Sequence, residues 1–210
     1  MKNNKLIRRR RCPVTDKQQI REQGKLARRE MKPEERAAAS KEIARRIAAS
    51  DVFADAGTVL IYKAMPDEVD LGFLTELPEA QGKRFCYPRT LKEHRMEALL
   101  PSGPQDWKTG RFGIMEPDPM TAQHVSQDEL DLVLCPCTAF DENGGRLGMG
   151  GGYYDRYLPG CGHAAVAAVA FDAQKTGSVP TDEHDIMMEL VFTEKAVYCS
   201  GHEDVSDPES

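Results

Sequence analysis

Apolar positions along this chain change their spacing near residue 58. Before it they recur at helical intervals: Ile20, Gly24, Ala27 and Met31 share one face, and Ala37, Ser40, Ile43, Ala44 and Ile47 share another. Thr15 followed by Gln18 has the form of a capping box, which predicts a first helix over about 16–31. Pro33 suits the first turn of a second helix, which Ser50-Asp51 ends. The two helices are expected to pack as a hairpin on the body of the domain.

After residue 58 the apolar residues gather in short runs: 58–62, 84–87 stopped by Pro88, 132–135 stopped by Pro136, and 165–171. None alternates with polar residues, so these read as strands buried on both faces. A helix over 71–81 is expected between the first two, closed by Gly82 and shortened or kinked at Pro78. Strand, helix and strand in repetition argue for an α/β domain with a largely parallel sheet. Residues 89–128 are rich in Pro and Gly, and within them 96–100 reads as an edge strand.

Composition narrows the class. With 40% apolar and 30% charged residues in 210, the chain can build one proper core. We expect a basic, disordered arm at 1–15, a single domain at 16–199 and a polar, acidic tail at 200–210. No apolar run approaches the roughly 18–20 residues of a membrane helix. The cluster Arg8-Arg9-Arg10-Arg11 leads into Cys12-Pro13 rather than a signal-type apolar stretch, so a cytoplasmic protein is expected. Cysteines at 12, 86, 135, 137, 161 and 199 show no metal or redox spacing; Cys86 and Cys135 read as buried, reduced thiols.

Charge is uneven: residues 1–36 hold 13 Lys/Arg against 5 Asp/Glu, and the remainder holds 15 against 29. Such a basic arm could bind nucleic acid or an anionic membrane, but a solvated tail leading into a charged helix is the preferred reading. The absence of aromatics to stack on bases weakens the nucleic-acid alternative further.

The most informative stretch is Asn143-Gly144-Gly145-Arg146-Leu147-Gly148-Met149-Gly150-Gly151-Gly152-Tyr153-Tyr154-Asp155-Arg156, after a strand and before a helix expected at 154–158. Such glycine density lets backbone N–H groups approach an anion, and the following helix adds its positive end. A P-loop is excluded because tyrosines follow Gly152, and the dinucleotide fingerprint fails because Tyr153 stands where its third Gly belongs. Arg146 offers planar donors for phosphate oxygens, and Asp155 suits Mg²⁺ bound to the same phosphates.

This stretch, together with Phe140-Asp141-Glu142 before it, resembles the signature of the 5-formyltetrahydrofolate cyclo-ligases. Met65-Pro66-Asp67-Glu68-Val69-Asp70, Gly113-Ile114-Met115-Glu116-Pro117, Phe171-Asp172-Ala173-Gln174 and His184-Asp185 resemble further family segments in order, so the similarity covers about 16–196. The resemblance implies a three-layer α/β/α sandwich of the sugar-phosphate isomerase and CoA transferase kind. It also implies ATP-dependent closure of 5-formyltetrahydrofolate, with or without a polyglutamate tail, to 5,10-methenyltetrahydrofolate, ADP and phosphate.

By the same resemblance, Lys17, Arg21 and the loop Arg146, Leu147, Gly148, Met149, Gly150, Gly151, Gly152 and Tyr153 would bind ATP. Arg146 and Tyr153 would be catalytic, and Asp155 and Asp185 would ligate Mg²⁺. Lys63, Glu68, Met149 to Gly152 and Tyr153 would line the folate site, with Asp67 and Asp70 competing for the role of Glu68, and Tyr154 read as core. Some relatives carry basic residues at the positions of Met149 and Gly151, so here Arg146 must do more alone. A monomer without nucleic-acid or membrane partners is expected. The competing reading is a folate- or nucleotide-binding regulator without turnover.

Overall fold

The computed structural model describes residues 17–110 and 113–200. The expectations for the basic arm, the Thr15 cap and the tail beyond 200 fall outside them; Ser200 itself is tied to Met188 O and Glu189 O.

Helix α1 spans Lys17–Glu30, α2 Pro33–Ala48, α3 Asp51–Ala54, α4 Gly72–Thr75 and α5 Tyr153–Tyr157. Strands β1 Thr58–Leu60, β2 Arg84–Thr90, β3 Met96–Leu100 and β6 Gln123–Val125 form one half of the main sheet. Its other half is β7 Leu132–Pro136, β10 Ala165–Val169, β11 Leu190–Phe192 and β12 Val197–Cys199. Two small hairpins complete the set: β4 Trp107–Thr109 with β5 Met115–Pro117, and β8 Ala139–Phe140 with β9 Arg146–Leu147.

The eight-stranded order is β12-β11-β10-β7-β1-β2-β3-β6. The five strands from β11 to β2 run parallel, while β12, β3 and β6 join antiparallel. The expected α/β class holds, with a sheet more mixed than the apolar runs suggested. Successive residues divide between two cores: Val59, Leu132, Leu134, Ala167 and Val169 face α2, α3 and α4, whereas Leu60, Val133, Cys135 and Ala168 face α5. Both faces are covered, which is why the central strands carry no polar alternation.

Several expectations need correction. The run 96–100 is not an edge strand, because β6 pairs outside it. Pro88 does not stop β2: it pairs with Ala98, at a point where the β1 register has already ended at Cys86. The helix over 71–81 breaks into α4 and a 3₁₀ turn at Pro78–Ala80, as Pro78 requires.

The N-terminal helices do not lie along each other as a hairpin. α1 rests on β8 and the 3₁₀ turn Asp172–Gln174, and α2 rests on α3, α4 and β11. On α1 the buried face is Ile20, Gly24 and Arg28, and on α2 Ala39 and Ala48 are buried while Ala37 is exposed. Gly24 explains the docking of α1, since a Cβ there would stand 1.9 Å from Thr138 O. Any larger residue would lift the helix from its seat.

Candidate active site

A cavity of about 520 Å³ opens at the carboxyl ends of β1 and β7. The chain leaves β1 toward β2 on one side and leaves β7 toward β10 on the other, so the sheet order reverses between them. Open α/β sheets place their ligand crevice at such a reversal. Tyr62 and Lys63 come from beyond β1, and Pro136, Cys137 and Thr138 from the end of β7.

The glycine stretch forms one wall. Asp141 organises its start, accepting from the backbone N–H of Asn143 and Gly145 through one oxygen and of Val179 through the other. Gly150 and Gly152 take φ of 98° and 63°, values that side chains disfavour, so the chain can turn sharply into α5. Gly148, Met149, Gly151, Gly152 and Tyr153 face the cavity. Leu147 does not: its side chain is buried with Ile20, Ala139 and Val179.

Arg146 is 6% exposed, lines the cavity and donates from Nη2 to Asp155 Oδ1 at 2.8 Å. Its Nε is buried without a hydrogen-bond partner, and so is the Tyr154 hydroxyl, which also borders the cavity. Buried donors are rarely left unpaired, and these two belong to residues that border one cavity. Tyr154 packs against the core, as expected, and also borders the cavity, with a hydroxyl that burial pushes well above its ordinary pKa.

Asp155 Oδ1 also accepts from Ile186 N–H at 3.4 Å, which sets this carboxylate beside the Asp185 turn. Lys17 donates to Asp185 and, at 2.7 Å, to Asp182. Burial pulls the Lys17 ammonium down, but the hydrogen bonds and charges of Asp182 and Asp185 outweigh it and raise the group. Burial likewise pushes Asp185 up, yet the hydrogen bond from Lys17, the Asp182 N–H and the charges of Lys17 and Arg146 hold it below the usual carboxylate range. Arg21 donates from Nε to Gly148 O at 3.0 Å, behind the loop. Among the described residues no three His, Cys, Asp or Glu side chains gather as a metal cluster. A metal at Asp155 and Asp185 would therefore need oxygen ligands from phosphate and water, the set Mg²⁺ favours.

Opposite the loop, Glu68 faces the cavity, which separates it from Asp67 and Asp70. Asp67 pairs with Arg28 and Arg29, and Asp70 accepts from Gly72 N–H. Glu68 receives the Met65 N–H at 3.0 Å and the Arg28 guanidinium at 3.4 Å. Burial raises its pKa, against the lowering effects of Met65 N–H and Arg28. Lys63 stands at the rim, 5.8 Å from the centre of the Trp107 ring.

Sequence reasoning missed several residues here. Arg28 is 1% exposed and sits under Glu68; its place four residues after Gly24 on the buried face was the available signal. Tyr87, His94, Met96 and Met115 also line the cavity, and Trp107 meets Tyr87 edge-on at 4.7 Å. They arise from 89–128 and its neighbours, where no periodic pattern marks an element.

These features describe an α/β fold with a glycine-rich loop on one side of a largely apolar cavity. The chain matches the 5-formyltetrahydrofolate cyclo-ligase family model over residues 13–194 and belongs to that family. It is a ligase of folate and one-carbon metabolism that converts 5-formyltetrahydrofolate to 5,10-methenyltetrahydrofolate, and its family implies the use of ATP.

Among its relatives is the 5-formyltetrahydrofolate cyclo-ligase of Escherichia coli K12, 32% identical, with 81% of this chain and 96% of that protein aligned. The mouse 5-formyltetrahydrofolate cyclo-ligase is 31% identical over 79% of this chain and 87% of its own length. The NMR structure of Aquifex aeolicus 5,10-methenyltetrahydrofolate synthetase superposes with a TM-score of 0.76 at 29% identity, covering 92% of this chain and 95% of that one. No helix among the described residues is long and apolar enough to cross a membrane.

Proposed function

We propose that the glycine loop holds the ATP phosphates against the formyl group of a folate lying in the cavity, and that this single juxtaposition drives ring closure. The N5-formyl group is an amide and a poor electrophile. Its oxygen attacks the γ-phosphorus and ADP departs; N10 then attacks the activated formyl carbon, loses its proton, and phosphate leaves as the imidazolinium ring closes. The protein's work is to position the reactants and offset charge.

Arg146 carries the reading, because its buried Nε lacks a partner at the cavity wall. Its guanidinium offers donors to the transferred phosphoryl group, joined by the N–H groups of Gly148 to Tyr153. Tyr153 stands between loop and cavity and meets both reactants. Lys17 and Arg21, at the start of α1, add positive charge behind the loop, close to Asp185 and Gly148 O. Mg²⁺ bound by Asp155 and Asp185 supplies the charge neutralisation that phosphoryl transfer needs.

Glu68 accepts from the N–H groups of the pterin, and the apolar walls at Tyr87 and Met96 suit its ring. Lys63 at the rim attracts the glutamate tail, including longer polyglutamates. We take residues 16–199 as one catalytic domain, acting as a monomer in the cytoplasm. The buried free thiols at 86, 135, 137 and 161 support a reducing compartment.

The test is formation of the methenyl product from 5-formyltetrahydrofolate by the purified protein, with one ADP per turnover and dependence on ATP and Mg²⁺. A folded sample that binds both reactants without turnover would favour the regulator reading instead.

A further inference from the structure

The reversal between β2 and β3 is built from residues ill suited to it. Leu91 N–H donates to Arg95 O at 2.8 Å and Arg95 N–H to Lys92 O at 3.3 Å, leaving Glu93 and His94 as the central pair. Both have positive φ, 59° and 56°, and they are the two non-glycine residues among those described that do. Tight hairpins with this backbone strongly prefer Asn-Gly, which adopts it without steric cost. The ion pair of Glu93 with Arg95, at 3.9 Å between exposed side chains, is too weak to explain the choice.

The turn delivers His94 to the cavity. Its imidazole lines the wall and stands 5.5 Å from the Tyr153 ring, tilted by 56°. A Cβ on Gly151 would lie 3.8 Å from His94 Nδ1, so the ring rests directly against the glycine loop. Strain of this kind persists where the position of a side chain matters more than the stability it costs.

We propose that His94 is a further folate-contacting residue, held by the strained Glu93–His94 turn over the mouth of the cavity and closing it with Tyr153. The inference rests on the folate reading of the cavity given above. His94 shares its wall with Tyr87 and Met96, so the flat pterin is the part of the reactants it meets.

Two variants test it by steady-state kinetics and thermal melting. In Glu93→Asn/His94→Gly, which relieves the turn and removes the ring, the melting temperature rises while KM for 5-formyltetrahydrofolate rises about fivefold and KM for ATP stays within about twofold. In His94→Ala the same KM change appears without the gain in melting temperature. Unchanged folate KM in either variant, or no rise in melting temperature in the double variant, overturns the inference. A wild-type protein that forms no product removes the underlying reading instead.

Discussion

Arg146 and Asp155 form an ion pair at 2.8 Å, the cation proposed to meet phosphate against the carboxylate proposed to hold the metal. Lys17 and Asp185 repeat the arrangement on the neighbouring turn. Each carboxylate proposed to hold the metal thus has a resident cation, and each of those cations is one proposed to meet phosphate.

Mg²⁺ alone must compete with a guanidinium for Asp155 and with an ammonium for Asp185. With phosphate present the cations gain another anion, and the carboxylates become available to metal. Titration calorimetry is expected to show Mg²⁺ binding at least about tenfold more tightly with a non-hydrolysable ATP analogue than without it. Asp155→Asn should lower kcat by about a hundredfold or more while leaving the circular dichroism unchanged. An unaltered kcat would show that Asp155 does not hold the metal.

Glu68 is the cavity's buried carboxylate, raised by burial against the opposing pull of Met65 N–H and Arg28. In the proposed role its charged form accepts pterin donors, so folate affinity should fall as pH drops through its elevated pKa. Glu68→Gln keeps the shape and loses the charge, and should raise KM for 5-formyltetrahydrofolate about tenfold with little change in KM for ATP. A pH profile of folate KM that is the same in both proteins would contradict this role.

Part of this site was legible in the chain and part was not. The loop from Asn143 to Arg156 announced itself because glycine at Gly150 and Gly152 serves a backbone that other residues resist. Glu68 was placed by resemblance among three acidic candidates, and only tertiary packing separated it: Arg28 rises from α1 to take Asp67 and touch Glu68. That meeting joins residues about 40 apart and leaves no local pattern. Pro136 does end β7, whereas Pro88 does not end β2, since whether a proline stops a strand depends on which neighbour is still paired there. The hairpin of α1 and α2 was inferred from adjacency, whereas the seat of α1 is decided by Gly24 against Thr138.

The same seat predicts a stability effect. Gly24→Ala improves helix propensity, yet the new methyl would meet Thr138 O at 1.9 Å and force α1 outward. The overpacking should dominate, destabilising the fold by about 1–3 kcal/mol. Because α1 carries Lys17, Arg21 and Arg28, KM for both reactants should rise together. Urea denaturation with parallel kinetics measures both, and a more stable variant would refute the close docking.

Acid sensitivity follows from Asp67 and Asp185. In each, burial pushes the carboxyl up but basic partners prevail and hold it below its ordinary value. Between the folded and unfolded values the unfolded chain binds more protons, so this stability is complete above about pH 4 and is lost as pH falls through the folded value. Lys17, raised overall, contributes stability that is complete below its unfolded pKa and is lost as pH rises through its folded one. The melting temperature should therefore drop on acidification below about pH 4, and less steeply in Lys17→Met. An identical acid limb in that variant would show that the Lys17–Asp185 pair adds nothing to folding.

The central claim is that the loop delivers the γ-phosphoryl group to the formyl oxygen. Substrate labelled with ¹⁸O in the formyl group tests it directly, by mass spectrometry of the phosphate released in a single turnover. The account predicts one labelled oxygen in each phosphate; label that appears in water, with unlabelled phosphate, would contradict it.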